Sequence, residues 1–372
     1  MTIGASSTAT TRLDHIRANL AAVRARVGDR LVLAAVKADA YGHGAVEVGR
    51  MIERTRAADW LGVATVGEGL ELRAAGITLP ILKLSVARGD EVTAAVRAGL
   101  TLTVTDAASI QEAGTAASGG TTASVHLKVD TGMRRIGCEP AEAPGLAALA
   151  DTTPGVRLDG LFSHLPISDS PRGDDFTKTQ VELFRATAEQ VEQARGPLLK
   201  HLANSGAVLG HPDAWLDLVR PGIMIYGAYP DPEAQRTVPL LPALEWRTRV
   251  TFIKRVRAGE TVGYGRTWTA PSDTWIATVP IGYGDGYSRL LSNRGRMLVG
   301  GRSYPIAGRV CMDQTMLDLG PSTDVAVGDE VVLVGRSGEE EITTTEIAAL
   351  MDTIPYEVTC LITRRVARAY VS

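Results

Sequence analysis

Lys37 closes the first strongly apolar run of the chain, Leu31 to Val36, and is followed by Ala38-Asp39-Ala40-Tyr41-Gly42-His43-Gly44. A lysine at the carboxyl end of a buried strand loses water, which lowers its pKa and favours the neutral, nucleophilic amine. That amine forms a Schiff base with a carbonyl group, the chemistry asked of a lysine that holds pyridoxal phosphate (PLP). The bland reading is a lysine whose stem snorkels from the strand end into solvent. Tyr41 adds a hydrogen-bond donor, and Gly42 and Gly44 let backbone approach a ligand closely.

Further reactive types stand at the ends of later apolar runs. Lys128, Val129 and Asp130 lead into Thr131-Gly132-Met133-Arg134-Arg135-Ile136-Gly137, a cationic cluster suited to a carboxylate, or else ordinary loop charge. Phe162-Ser163-His164 ends another run, and a lone strand-end histidine is as often a satisfied core residue as a functional one. Asn204-Ser205-Gly206 opens a helical pattern, and Arg220-Pro221-Gly222-Ile223 follows a further run. The Ser205 hydroxyl and the amides of Gly222 and Ile223 suit a phosphate, whereas either segment alone would read as an N-cap and a turn. Farther on come Gly263-Tyr264-Gly265, Gly282-Tyr283-Gly284-Asp285-Gly286-Tyr287, Cys311-Met312-Asp313 and Pro355-Tyr356. Taken singly, Gly-Tyr pairs are turn and packing devices.

The elements that must carry these residues alternate. Strand-like runs at Leu31–Val36, Leu61–Thr65, Ile81–Leu84, Leu100–Thr105, Val125–Val129, Leu158–Ser163, Leu198–Leu202 and Leu216–Val219 are separated mostly by helical patterns such as Ala45–Arg54, Asp90–Ala98 and Asp175–Ala194. Eight βα repeats over roughly 200 residues predict an α/β fold with an N-terminal TIM (β/α)8 barrel, whose reactive groups sit at the strand carboxyl ends. No GxGxxG follows the first strand, so a dinucleotide fold lacks its fingerprint. Residues 1–11, rich in Ser, Thr and Ala, read as a disordered leader. The barrel is assigned to 12–235. A Pro-rich linker near Pro230 to Pro242 introduces a C-terminal mainly-β domain, 236–372, expected as a barrel or sandwich with a helix at Thr344–Met351 and a last strand from Val358 to Tyr370.

Composition narrows the function classes. The 372 residues are 45% apolar and 22% charged, with net charge -3, which gives no basic field for nucleic acid. Apolar runs are too short to span a bilayer and no signal peptide is visible, so a soluble cytoplasmic protein is expected. Three dispersed cysteines and six histidines without an HxxxH pair predict neither a disulfide framework nor a metal site.

Together and in this order, VKADAYGHG, the lysine–arginine segment, the strand-end Arg220 and the later tyrosine motifs strongly resemble the alanine racemase family. The resemblance implies a PLP-dependent, two-base interconversion of L- and D-alanine, supplying D-alanine for peptidoglycan. Lys37 and Tyr264 of the partner subunit would be the catalytic bases, in a homodimer whose active sites are shared across the interface. It implies that Tyr41, His164, Asn204, Ser205, Arg220, Gly222, Ile223 and Tyr356 hold the cofactor, that Arg135, Met312 and Tyr283 contact the substrate, and that Lys128 is the lysine often carbamylated in the family. An arginine against the pyridine nitrogen can only donate, which weakens the ring as an electron sink and favours reprotonation over transamination. A phenol is a weak base at neutral pH, and cations beside it favour the phenolate. Readings kept open are a broader racemase acting on serine, a barrel-type PLP decarboxylase and a non-catalytic PLP-binding protein. Fold alone does not separate these.

Overall fold

The structure is a computed structural model that describes residues 6–117 and 120–372. Two compact units emerge: Ile16–Tyr41 with Ala45–Leu241, and the segment through His15 with Gly42–Gly44 and Pro242–Ser372. The first strand in the chain, β1 (Ser7–Arg12), belongs to the latter.

In the larger unit, eight strands close a barrel: β2 (Leu31–Ala35), β3 (Trp60–Val63), β4 (Ile81–Val86), β5 (Thr101–Val104), β6 (Ala123–Lys128), β7 (Val156–Phe162), β8 (Leu199–His201) and β9 (Leu218–Val219). All pairings are parallel, and β2 meets both β3 (Ala34↔Leu61) and β9 (Val32↔Val219), which closes the ring. Such strands are covered on both sides, which is why they read as near-continuous apolar runs. Leu33, Leu82 and Leu218 pack one interior layer with Trp60, Leu84 and Leu199. Helices return the chain between strands. The Val66–Ala74 helix starts at a capping box of Thr65 with Glu68, and the Ala107–Ala116 helix at one of Asp106 with Ser109. The last strand is shorter than expected because Leu216 sits at φ 52°, outside the strand region.

The smaller unit holds a seven-stranded sheet. Its path runs Arg302–Pro305, Arg296–Val299, Glu330–Ser337, Leu244–Arg249, β1 and Ala367–Val371, with Glu340–Ile342 added to Glu330–Ser337. A three-stranded sheet (Phe252–Val256, Thr274–Val279, Thr315–Gly320) and a two-stranded ribbon (Thr261–Val262, Trp268–Thr269) complete it. Neither larger sheet closes into a barrel among the described residues; of the two expected forms, a barrel or a sandwich, two open sheets sharing one core fit the sandwich. Trp246, Tyr287, Leu298, Leu317 and Val332 share one apolar core.

Two expectations are corrected here. Ser7 to Thr11, expected as part of a disordered leader, form β1, paired antiparallel to Leu244–Arg249 (Ala9↔Trp246) and parallel to Ala367–Val371 (Ala9↔Arg368). Ser7, Ala9 and Thr11 alternate inward and are buried, so small residues fill a strand flanked on both sides where no apolar signal was needed. The first five residues of the expected leader lie outside the described residues. Val358, expected to begin the final strand, lies in a helix, Pro355–Cys360, with the strand delayed to Ala367–Val371. Pro355 at the first helical position sets φ for a helix start, which outweighs the β-branched Val358-Thr359 pair.

Candidate active site

Lys37 leaves β2 half-buried, directly after Val36, whose amide donates to Gly62 O at 2.9 Å. The next four residues, Ala38, Asp39, Ala40 and Tyr41, all have φ between 51° and 54°, one turn of left-handed helix. Outside glycine this conformation costs on the order of 1–2 kcal/mol per residue. Short side chains lower the crowding, and Asp39 Oδ1 repays part of it by accepting the Ala45 amide at 2.8 Å, where the next helix begins. The Ala40 amide returns to Val36 O at 2.8 Å. The Tyr41 ring packs on Tyr226 with centroids 5.0 Å apart, and Lys37 Nζ lies 5.9 Å from the Tyr41 centroid. Strain of this kind persists where surrounding contacts over-determine it, commonly at functional sites.

Tyr41, Ser205 and Gly222 make a cradle. Ser205 Oγ accepts the Gly222 amide at 2.9 Å, and a Cβ built on Gly222 would stand 2.5 Å from the Tyr41 hydroxyl oxygen. Glycine is required there for close approach, since its φ of −114° is open to any residue. Ile223 follows at the start of a short 3-10 turn. Asn204 is committed otherwise. Its Oδ1 accepts Ser168 Oγ at 2.7 Å and caps the Ala207 amide, and its Nδ2 donates to Leu165 O, so it fixes the loop that presents Ser205.

Arg220 is 5% exposed at the end of β9. Nη1 donates to His201 Nδ1 at 2.7 Å; Nη2 donates to Ser163 O at 2.7 Å, to Leu202 O at 3.0 Å and to His164 Nδ1 at 3.3 Å. None of these partners is a carboxylate. Burial alone pushes its pKa down to about 9. Because a guanidinium only donates, Nδ1 of both histidines must accept, which puts their protons on Nε2. His201 Nε2 then donates to His126 Nδ1 at 2.8 Å, leaving the His126 proton on its own Nε2. That last N–H meets no acceptor among the described residues, and the ring centroids of Trp60 and His126 lie 5.5 Å apart. Arg220 thus dictates the tautomers of a chain running into the barrel. Burial, then the Arg220 charge, holds His164 and His201 well below the usual histidine range; burial chiefly pushes His126 down to about 4.

Lys128, 2% exposed, ends β6 with Nζ 5.4 Å from the Phe162 centroid. Burial, and then Arg220, push it down to about 8. The chain beyond doubles back: the Asp130 amide donates to Cys138 O at 2.8 Å and the Cys138 amide to Lys128 O at 3.0 Å. Gly137 (φ 131°) lies so close that a Cβ would stand 2.7 Å from the Asp130 nitrogen. Of the two arginines on this loop, Arg134 pairs with Glu139 at 2.5 Å on the exposed side. Arg135 is the one whose charge reaches both Lys128 and His164.

The barrel therefore gathers Lys37, Tyr41, Lys128, Arg135, His164, Ser205, Arg220 and Gly222 at its strand carboxyl ends, and His164 feels the charge of Lys37, Lys128, Arg135 and Arg220 together. Four cations beside hydroxyl donors call for an anionic ligand. The donor set fits PLP: hydroxyls of Tyr41 and Ser205 with the cradle at Gly222 for a phosphate, an amine on Lys37 for the aldehyde, and Arg220 as a donor to a ring nitrogen. Among the described residues no group of three or more His, Cys, Asp or Glu could hold a metal.

The remaining candidates lie in the smaller unit. Tyr264 is 73% exposed on a tight turn between Gly263 (φ 73°) and Gly265 (φ 70°). Tyr283 and Met312 sit on neighbouring loops, joined by the amides of Tyr283 and Gly284 donating to Cys311 O and Met312 O at 3.0 and 2.9 Å. Arg365 ties the same loops through Asp285 and Asp313. Tyr356 lies in the first turn of the Pro355–Cys360 helix. Sequence reasoning missed His126 and His201. The available signal was period two: His126 shares a strand face with Lys128.

A closed parallel eight-stranded barrel with reactive side chains gathered at its strand carboxyl ends, followed by a mainly-β second unit, defines a class of two-unit (β/α)8-barrel enzymes. Residues 11–230 match the model for the N-terminal domain of alanine racemase, and residues 243–370 that for its C-terminal domain. An alanine racemase of Cutibacterium acnes is 54% identical over 361 residues, 96% of either chain. One of Symbiobacterium thermophilum is 44% identical over 364 residues, covering 96% of this chain and 95% of that protein. Among solved structures, an alanine racemase of Clostridium difficile superposes with TM-score 0.94 at 36% identity, covering 100% of this chain and 97% of the other. One from Bacillus anthracis with bound L-Ala-P has TM-score 0.92 at 34% identity, covering 100% and 96%. The chain belongs to the alanine racemase family of isomerases.

Proposed function

We propose that this protein interconverts L- and D-alanine with PLP held by Lys37, acting in the cytoplasm as a homodimer that supplies D-alanine for peptidoglycan. The observation that carries the reading is Arg220: a buried cation beside the Lys37 site whose partners are two imidazoles and two carbonyls, with no carboxylate among them. PLP bound here supplies the carbonyl that takes up the substrate amine and the ring that spreads the electrons left at Cα. Arg220, able only to donate, would hold the ring nitrogen of a bound PLP unprotonated and so weaken the ring as an electron sink, favouring return of the proton. This separates a racemase from a decarboxylase, which calls for an acid at that position. The smaller unit, matched to the family's C-terminal domain, speaks against a barrel that merely stores PLP.

Lys37 Nζ and the hydroxyl of Tyr264 of the partner subunit act on opposite faces of Cα. Tyr264 removes the proton from the L-enantiomer and Lys37 from the D-enantiomer, each delivering one where the other abstracts. The exposure of Tyr264 on its own unit supports its use by a second copy. Arg135 and the Met312 amide hold the substrate carboxylate, Tyr283 stands at the entrance, and Tyr356 adds to the phosphate contacts and narrows the pocket toward small side chains. Chiral chromatography after incubation with L- or D-alanine tests the activity, and release of carbon dioxide instead would refute it. Tyr264→Phe should slow the L-to-D direction most; full rates in both directions would end the two-base assignment.

A further inference from the structure

We infer that Glu68 is a positioning residue for Lys37: its carboxylate grips the amide of Ala38, the first residue of the left-handed turn, and so fixes the direction in which the Lys37 side chain leaves β2. Glu68 Oε1 accepts the Ala38 amide at 2.7 Å, while Oε2 accepts the amides of Ala64 at 2.7 Å and Thr65 at 3.0 Å. One carboxylate therefore bridges the carboxyl ends of neighbouring strands, β2 and β3, which pair at Ala35↔Gly62.

An ordinary capping box does not require this. It asks the third helical residue only to reach back to the N-cap amide, here Thr65, whose hydroxyl accepts the Glu68 amide at 3.2 Å. The second oxygen leaves its own helix for the segment that follows the reactive lysine. Ala38 cannot give its amide to a right-handed ladder from a left-handed turn, and it is exposed, so water would replace Glu68 without collapse of the fold. What would be lost is restraint on a strained turn, and with it the bearing of Lys37.

The inference rests on the proposed PLP role of Lys37, and the experiment separates the two. Glu68→Ala is compared with Thr65→Ala, which breaks the same capping box but leaves the Glu68–Ala38 bond in place. Three quantities are read on the full chain: thermal midpoint, amide exchange at Ala38, and the rate at which added PLP is trapped on Lys37 by borohydride, followed by peptide mass. Both variants should lower the midpoint, Glu68→Ala the more, because its carboxylate also accepts the Ala64 and Ala38 amides. Only Glu68→Ala should speed Ala38 exchange, by about tenfold or more for loss of a charged acceptor, and slow trapping on Lys37 to a similar degree. Should Glu68→Ala fail to fold, Glu68→Gln, with the same shape and one acceptor oxygen, carries the same readouts. Equal trapping rates in the two variants, or an unchanged rate in Glu68→Ala, would overturn the inference alone. No trapping on Lys37 in the unaltered protein would overturn the PLP reading and this inference with it.

Discussion

Replacing Gly222 by alanine puts a methyl group where the Tyr41 hydroxyl now sits. The new Cβ would stand 2.5 Å from that oxygen and 3.2 Å from the ring carbon bearing it, against ordinary contacts of 3.4 Å or more. Backbone strain adds nothing, because φ is −114°. Tyr41 must therefore yield by about an ångström. Its ring is held against Tyr226, whose hydroxyl donates to Ala35 O at 2.8 Å, so the hydroxyl has little freedom to retreat while still serving a phosphate. A hydrogen bond to a charged acceptor contributes about 1.5–3 kcal/mol, so its loss predicts PLP affinity weaker by roughly tenfold to a hundredfold. Titration of apoprotein with PLP, followed by absorbance, measures this, with thermal midpoint as the control for folding. Tyr41→Phe should lose a similar amount, and adding Gly222→Ala to it should cost much less than on the unaltered background, since the closest clash is with the hydroxyl. Additive losses in that double-mutant cycle, or unchanged affinity in Gly222→Ala, would refute the cradle.

The buried histidine chain makes stability depend on acid. His126 titrates near 4 when folded against an ordinary 6.5, so between those values the unfolded chain binds the extra proton. Its contribution is present above pH 6.5 and is lost as pH falls through 4, on the order of 3 kcal/mol. His126→Leu should lower stability at pH 8 by about 1–3 kcal/mol, through the stranded His201 N–H, yet flatten this acid slope in denaturant titrations. An unchanged slope would contradict the assigned burial. Lys128 acts with the same sign in the alkaline range: folded near 8 against 10.5 unfolded, it makes stability rise with pH across that window, a rise that Lys128→Met should remove. Its neutral amine should also add carbon dioxide, giving a carbamate and a proton, with the new anion beside Arg135. Native mass spectrometry in bicarbonate should find that adduct on the unaltered protein and not on Lys128→Met, and an adduct that survives the substitution would count against the site.

Much of this protein was legible along the chain. Strands buried on both faces are largely apolar, so most barrel strands announced themselves, and the spacing of helical patterns between them implied closure of the ring. Lys37, Lys128, His164 and Arg220 stood out because charged or polar types ended such runs. Ser7–Thr11 were illegible because a strand with neighbours on both sides takes its stability from two backbone ladders, and small residues suffice to fill the space beneath it. The choice between Arg134 and Arg135 was equally hidden, since it depends on a loop folding back at Gly137 and on Glu139 taking one of them. So were His126 and His201. Residue types and order determined which groups are available for chemistry. Which proton sits on which nitrogen, and which carboxylate steadies the turn after Lys37, were decided only when strands distant in sequence came within hydrogen-bond reach, because hydrogen bonding depends on distance and direction that no linear spacing records.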